Sequence, residues 1–167
     1  MPGIGSARSL MNIGSVLLTF FLGCEDLGVA IPPDFPIETL LAAPETLVVQ
    51  YRTLTLSTSL WRDFMPSPDG DHSQLIALVH VEATDLAPLP GGVTADAIWI
   101  VSGREVWKSF FSDETRPPDE QKPNRINAIA RNGPRWDGYV DVIVRVFDGQ
   151  GNAFLLRAGR QYIGRTY

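Results

Sequence analysis

The sequence predicts an all-β fold, and three features of it carry the prediction. Apolar and polar residues alternate with period two in several short runs, most plainly over residues 140–147. There Val140, Val142, Val144 and Val146 point one way, and Asp141, Ile143, Arg145 and Phe147 the other, a spacing that a helix cannot sort onto two faces. Turn-forming residues recur at intervals of about ten positions. No long helical pattern lies between the runs, so the alternation of strand and helix that builds a parallel sheet is missing.

The elements follow in order along the chain. Residues 47–56 are rich in Val, Thr, Tyr and Leu and read as the first strand, since these residues suit a pleated surface. Residues 75–83 place Leu75, Ala77, Val79, Val81 and Ala83 on one face. Residues 97–101 are apolar throughout and contain Trp99, as in a strand covered on both sides. A Ser-Gly turn leads to residues 105–111, and residues 125–130 alternate again. The Val strand then turns across Asp148-Gly149-Gln150-Gly151 into residues 152–157. The four valines are expected to share one core with Trp99, so that Val144→Asp unfolds the domain while Arg145→Asp, one residue on, is nearly silent. A central Trp strand, an alternating Val strand and a closing hairpin resemble the immunoglobulin-like antiparallel β-sandwich. The resemblance is architectural and implies residues 47–167 as one sandwich domain. The chain holds a single cysteine, so such a sandwich would rest on packing, without an inter-sheet disulfide.

The N-terminal part reads differently. Arg8 is the only charge before Glu25, and an apolar run fills residues 10–23. It is short for a membrane-spanning helix, which needs about 20 residues, and fits the apolar core of an export segment. The run ends in Gly23-Cys24, which resembles the cleavage site of bacterial lipoprotein signal peptides. The resemblance implies that Cys24 is lipidated and becomes the N-terminus. A retained membrane or partner anchor, and a buried helix with an incidental cysteine, stay open beside it. Residues 1–24 are thus expected as a signal or anchor segment and residues 25–46 as a tether interrupted by Pro32, Pro33, Pro36 and Pro44. Export would place the domain at the periplasmic face of a bacterial membrane.

Composition excludes several functions. The chain of 167 residues is long enough for a real core, burying roughly 70% of its extended surface. A net charge of −5 is opposite to what phosphate neutralisation needs, so nucleic acid is not an expected partner. Lys122, Arg125, Arg131 and Arg135 alternate with apolar residues, as on a solvated strand face. His72 and His80 are the only histidines, and no nucleophile elbow surrounds a serine, so a triad is not expected. Asp69, Asp71 and His72, or Asp148 and Asn152, lie close enough in sequence to hold a cation, but Asp and Gly are also what tight turns require. No phosphate loop and no cysteine pair is present. No metal and no cofactor is expected.

The aromatic residues remain. Trp107 lies on a strand beside Lys108, and Trp136 sits beside Arg135 in residues 132–138. Trp and Arg dominate interface hot spots, whereas a structural Trp plugs the end of a sandwich. Arg135, Trp136 and Trp107 are the candidate partner-binding residues. These features point to a non-catalytic accessory module held at the outer face of a membrane-protein complex by its N-terminal segment or a lipid on Cys24. Respiratory assemblies and photosynthetic reaction-centre or light-harvesting complexes are the expected kind of host, and integral membrane proteins the expected partners. The other reading is a free lipoprotein that binds a soluble ligand, as a protease inhibitor or carbohydrate-binding module does.

Overall fold

A computed structural model describes residues 34–65, 73–111 and 122–167. Cys24 and His72, and with them the expected anchor and the Asp69–Asp71–His72 cluster, lie outside these residues. Among these residues the fold is all-β apart from one short helix, α1 (Ile37–Leu41). The strands are β1 (Thr46–Val49), β2 (Arg52–Asp63), β3 (Leu75–Ala83), β4 (Thr94–Ser102), β5 (Glu105–Phe110), β6 (Arg125–Gly133), β7 (Gly138–Phe147) and β8 (Ala153–Thr166). Among the described residues no helix is long and apolar enough to cross a membrane.

The strands join in one curled, mixed sheet of order β5-β4-β7-β8-β2-β3-β6, with β1 paired to the start of β2. This differs from two stacked antiparallel sheets. The reason is the length of β8. It pairs antiparallel with β7 from Phe147↔Ala153 to Gly138↔Ile163, and its end pairs parallel with β2 from Leu60↔Ile163 to Asp63↔Thr166. One strand thus bridges what would otherwise be two sheets. The sheet then curls until its outer strands approach: a Cβ built on Gly133 of β6 would stand 3.1 Å from Cζ3 of Trp107 on β5.

The inner face is the main core. Leu54, Leu56 and Leu60 of β2 meet the alternating set of β3, and Val140, Val142, Val144 and Val146 of β7 meet Ile98 and Ile100 of β4. All of these are buried. Strand alternation therefore sends Trp99, between Ile98 and Ile100, to the opposite face. This corrects the expected valine–Trp99 core: Trp99 packs on the outer face with Ile143, Ala97 and Val101, under Leu40 and Ala43. Residues 34–46, expected as the end of a tether, lie on that face. Phe35 meets the Trp99 ring edge-on, centroids 5.3 Å apart, and Lys108 pairs with Asp34. The apolar 97–101 run needed a cover on both sides, and α1 supplies the outer one.

At the far end of the sheet two loops touch through bare backbone. A Cβ on Gly149 would lie 2.4 Å from the Gly91 carbonyl oxygen, and one on Gly92 2.7 Å from Gly149 Cα. Gly92 also holds φ +79°, so both positions need glycine.

Candidate functional site

Strand register brings one set of termini together. Arg62 lies opposite Leu75, Leu75 opposite Gly133, and Gly138 opposite Ile163. The end of β2, the start of β3, the end of β6, the start of β7 and the end of β8 therefore form one rim. The 132–138 segment, which contains two of the candidate residues, crosses it.

Its backbone is fixed locally. Asn132 and Gly138 hold φ +65° and +87° at its two ends, values that Asn and Gly tolerate best. The Trp136 amide donates to the Pro134 carbonyl at 2.9 Å, a tight three-residue turn centred on Arg135 and entered from a residue whose own φ is fixed by its ring.

Charge then braces it from behind. Arg62 follows the inward phase of Leu54, Leu56 and Leu60, and its side chain is buried. A guanidinium there must be fully engaged. Its Nε donates to the Ser73 carbonyl at 2.7 Å and its Nη1 to Asp137 Oδ1 at 3.0 Å. Arg165, opposite Arg62 in the β2–β8 register, grips the same carboxylate with two nitrogens at 3.2 and 2.9 Å. Phe64 completes the rim: the Arg62 and Arg165 guanidinium carbons lie 4.8 and 5.5 Å from its ring centroid, and Tyr167 stacks at 5.6 Å.

The candidate residues occupy different places on this rim. Arg135 is exposed. Trp136 is half-buried and packs on the main core, so it buttresses the loop. Trp107 is also half-buried against the core, in the seam against Gly133. The structure thus brings Trp107 and Trp136 to the two ends of one short segment and leaves Arg135 as its outward group. A polar groove of about 270 Å3, bounded by Asp63, Gln74, Ile76, Arg131 and Asn132, opens beside it. A larger, apolar groove of about 570 Å3 runs along α1 between Ala42, Leu47 and Phe154.

His80, Glu82, Asp148 and Asn152 are committed to structure. His80 Nδ1 lies 2.6 Å from Asn127 Oδ1, and Glu82 accepts from Ser57 at 3.1 Å. Asp148 accepts from the Gln150 and Asn152 amides at 2.8 and 2.9 Å and from Asn152 Nδ2 at 2.8 Å. These bonds, that from the Asn152 side chain foremost, hold its carboxyl below the ordinary range. Asp148 and Asn152 therefore close a turn. Among the described residues no group of three His, Cys, Asp or Glu is placed to hold a metal.

Sequence reading missed Arg62, Phe64, Arg165 and Tyr167. It ended the strands at residues 56 and 157, before the register that pairs them. A faint trace was present: Arg62 stands in the inward phase of its strand, where a lone charge demands a partner.

Asp137 gives a pH prediction. Partial desolvation by its neighbours pushes the carboxyl of this exposed residue up, but hydrogen bonds from Arg165 and Arg62, and their charges, outweigh that and hold it below its ordinary value. The stability it contributes is thus fully present above the unfolded value of about 3.9 and fades as pH falls through the lower folded one. Asp137→Asn is expected to melt below wild type at neutral pH, with the gap closing in acid below about pH 4. Thermal melts across pH check this; a gap that widens in acid contradicts it.

No family model matches the chain, and neither a curated protein nor a solved structure is significantly similar to it.

Proposed function

We propose that this chain is a non-catalytic accessory subunit, exported and held at the periplasmic face of a bacterial membrane. It acts by contact with integral membrane proteins of a larger complex, an energy-converting assembly being the expected kind of host. The observation that carries the reading is the braced rim. Arg62 and Arg165 converge on Asp137, so Arg135 projects from a backbone that is already ordered. Preorganisation of this kind lowers the entropy cost of association, and Trp and Arg are the residue types on which binding energy concentrates. The apolar run over residues 10–23 with Gly23-Cys24 supports membrane attachment.

A second reading, a free lipoprotein that takes a soluble ligand, draws on the polar groove beside Arg131 and Asn132. A protein that leaves the membrane alone and binds such a ligand would favour it.

Attachment is tested by fractionating cells that express the full-length chain and Cys24→Ser. The wild type is expected in the membrane fraction. If a lipid on Cys24 is the anchor, the variant is released or keeps an unprocessed leader, because serine has no thiol to acylate and every lipid chain the cysteine would carry is lost with it. Wild-type protein in the soluble cytoplasmic pool contradicts export.

A further inference from the structure

We propose that the outer face of the β7–β8 ladder is a docking platform for an acidic protein segment, one carboxylate being gripped by Arg160 above the paired rings of Tyr139 and Tyr162. The proposal deepens the reading above by naming a face and a partner chemistry, and rests on it only in taking the domain to act by contact.

Tyr139 and Tyr162 face each other across the antiparallel ladder. They are 59% and 63% exposed, with ring centroids 5.4 Å apart and planes tilted by 57°. The Arg160 guanidinium carbon lies 5.0 Å from the Tyr139 centroid. These three side chains form one continuous exposed surface of the kind on which partners concentrate binding energy.

The backbone is specially shaped to build it. The register shifts between Val140↔Gln161 and Val142↔Ala158, so two residues of β8, Gly159 and Arg160, oppose Asp141 alone. Ala158 and Ile163 are both buried although an odd number of positions separates them, which is the phase change an extra residue causes. Arg160 holds φ +52°, a conformation that side-chain-bearing residues avoid. Bulges of this kind re-aim a side chain, and strain at one exposed residue motivates a functional hypothesis.

Charge selects the occupant. Arg52, Arg62, Arg145, Arg157 and Arg165 each hold a carboxylate within the chain. Arg160, among the described residues, has the Tyr139 ring and no carboxylate. A guanidinium stacked on an aromatic ring keeps its in-plane donors for a bidentate carboxylate. The Tyr162 ring offers an apolar face for a neighbouring side chain, and Gly164, the next outward residue of β8, leaves room for an extended chain, a Cβ there meeting only the Leu60 carbonyl at 3.5 Å. A lipid surface fits less well, because recognition of anionic headgroups uses clusters of about 4–8 basic residues and this chain carries a net charge of −5.

The test uses the full-length protein in detergent micelles and a phage-displayed library of random peptides. Peptides that bind are synthesised and titrated against wild type, Arg160→Gln and Tyr162→Ala. Arg160→Gly serves as the folding control, since glycine accepts the positive φ and should melt no lower than wild type. The proposal expects selected peptides to share an Asp or Glu beside an aromatic residue or proline. It expects affinity to fall about thirtyfold in either Arg160 variant, and equally when the peptide acid is replaced by its amide. Peptides without an acid, or binding that Arg160→Gly leaves intact, overturn it. So does Arg160-dependent attachment to vesicles of phosphatidylcholine with phosphatidylserine in place of peptide binding. The peptide assay needs no membrane partner, so failure here alongside a retained complex removes the platform and leaves the accessory-subunit reading standing.

Discussion

Val144→Asp is expected to leave the protein unfolded at room temperature. Val144 is fully buried on the inner face, opposite Ile98 of β4 and Leu156 of β8. An aspartate there meets no cation and must either ionise in hydrocarbon or be held neutral. Either way the cost is on the order of 5 kcal/mol or more, comparable with the whole stability of an ordinary domain. The sequence alone leads one to expect Arg145→Asp to be nearly silent, and the ion pair that Arg145 makes argues otherwise. Arg145 donates from Nε and Nη2 to Asp96 at 2.8 and 2.5 Å, and lies over Trp99 and Phe147. Reversing its charge sets two carboxylates together and uncovers the indole, so a loss of about 2 kcal/mol is expected. Circular dichroism and urea titration rank the two: Val144→Asp should show no cooperative transition, and Arg145→Asp a shifted one. Equal tolerance of both would contradict the β7 register.

Trp99→Ala is expected to cost about 3–5 kcal/mol, the usual result of emptying a large aromatic site. The indole is 1% exposed and is the centre of the outer cluster. The effect should be directional. Removing it takes the floor from under Phe35, Leu40 and Ala43, so residues 34–43 should lose amide protection before the inner core does. Hydrogen exchange on the purified variant reads this directly; protection of 34–43 equal to wild type would place α1 on some other support. Trp99→Phe should cost less, because the Trp99 Nε1 is buried with no hydrogen-bond partner and phenylalanine removes that orphan donor.

The strands were legible in the sequence where their side chains alternate. Residues 75–83 match β3 to the residue, because period two is a local property, and residues 105–111, placed by the Ser-Gly turn before them, overrun β5 by one. What local pattern does not carry was lost. The β1–β2 turn at Gln50-Tyr51 contains no Gly, Asn or Pro, yet both residues take positive φ, 45° and 72°. Two strands therefore read as one. The second half of β8, from Ala158 to Thr166, breaks its alternation at the Gly159–Arg160 bulge, and so did not look like strand. That half supplies the parallel pairing to β2, the cation that closes on Asp137, and the tyrosine platform. The side of β4 on which Trp99 falls is decided by pairing, because an all-apolar run has no phase of its own. At the rim, Trp136 and Arg135 were found by residue type. The brace behind them was not, because Arg62 and Asp137 are far apart in sequence and meet only through register.

Purification of the full-length chain from its own membranes in mild detergent decides between the proposed contact subunit of a membrane complex and a free protein. Integral membrane proteins are expected to co-purify in fixed proportion with wild type. Arg135→Ala, with an unchanged melting point, is expected to lose much of that association, and Trp136→Ala to lose it together with thermal stability. A chain that leaves the detergent extract alone and monomeric, with no membrane protein in fixed proportion, would rule out the contact-subunit proposal.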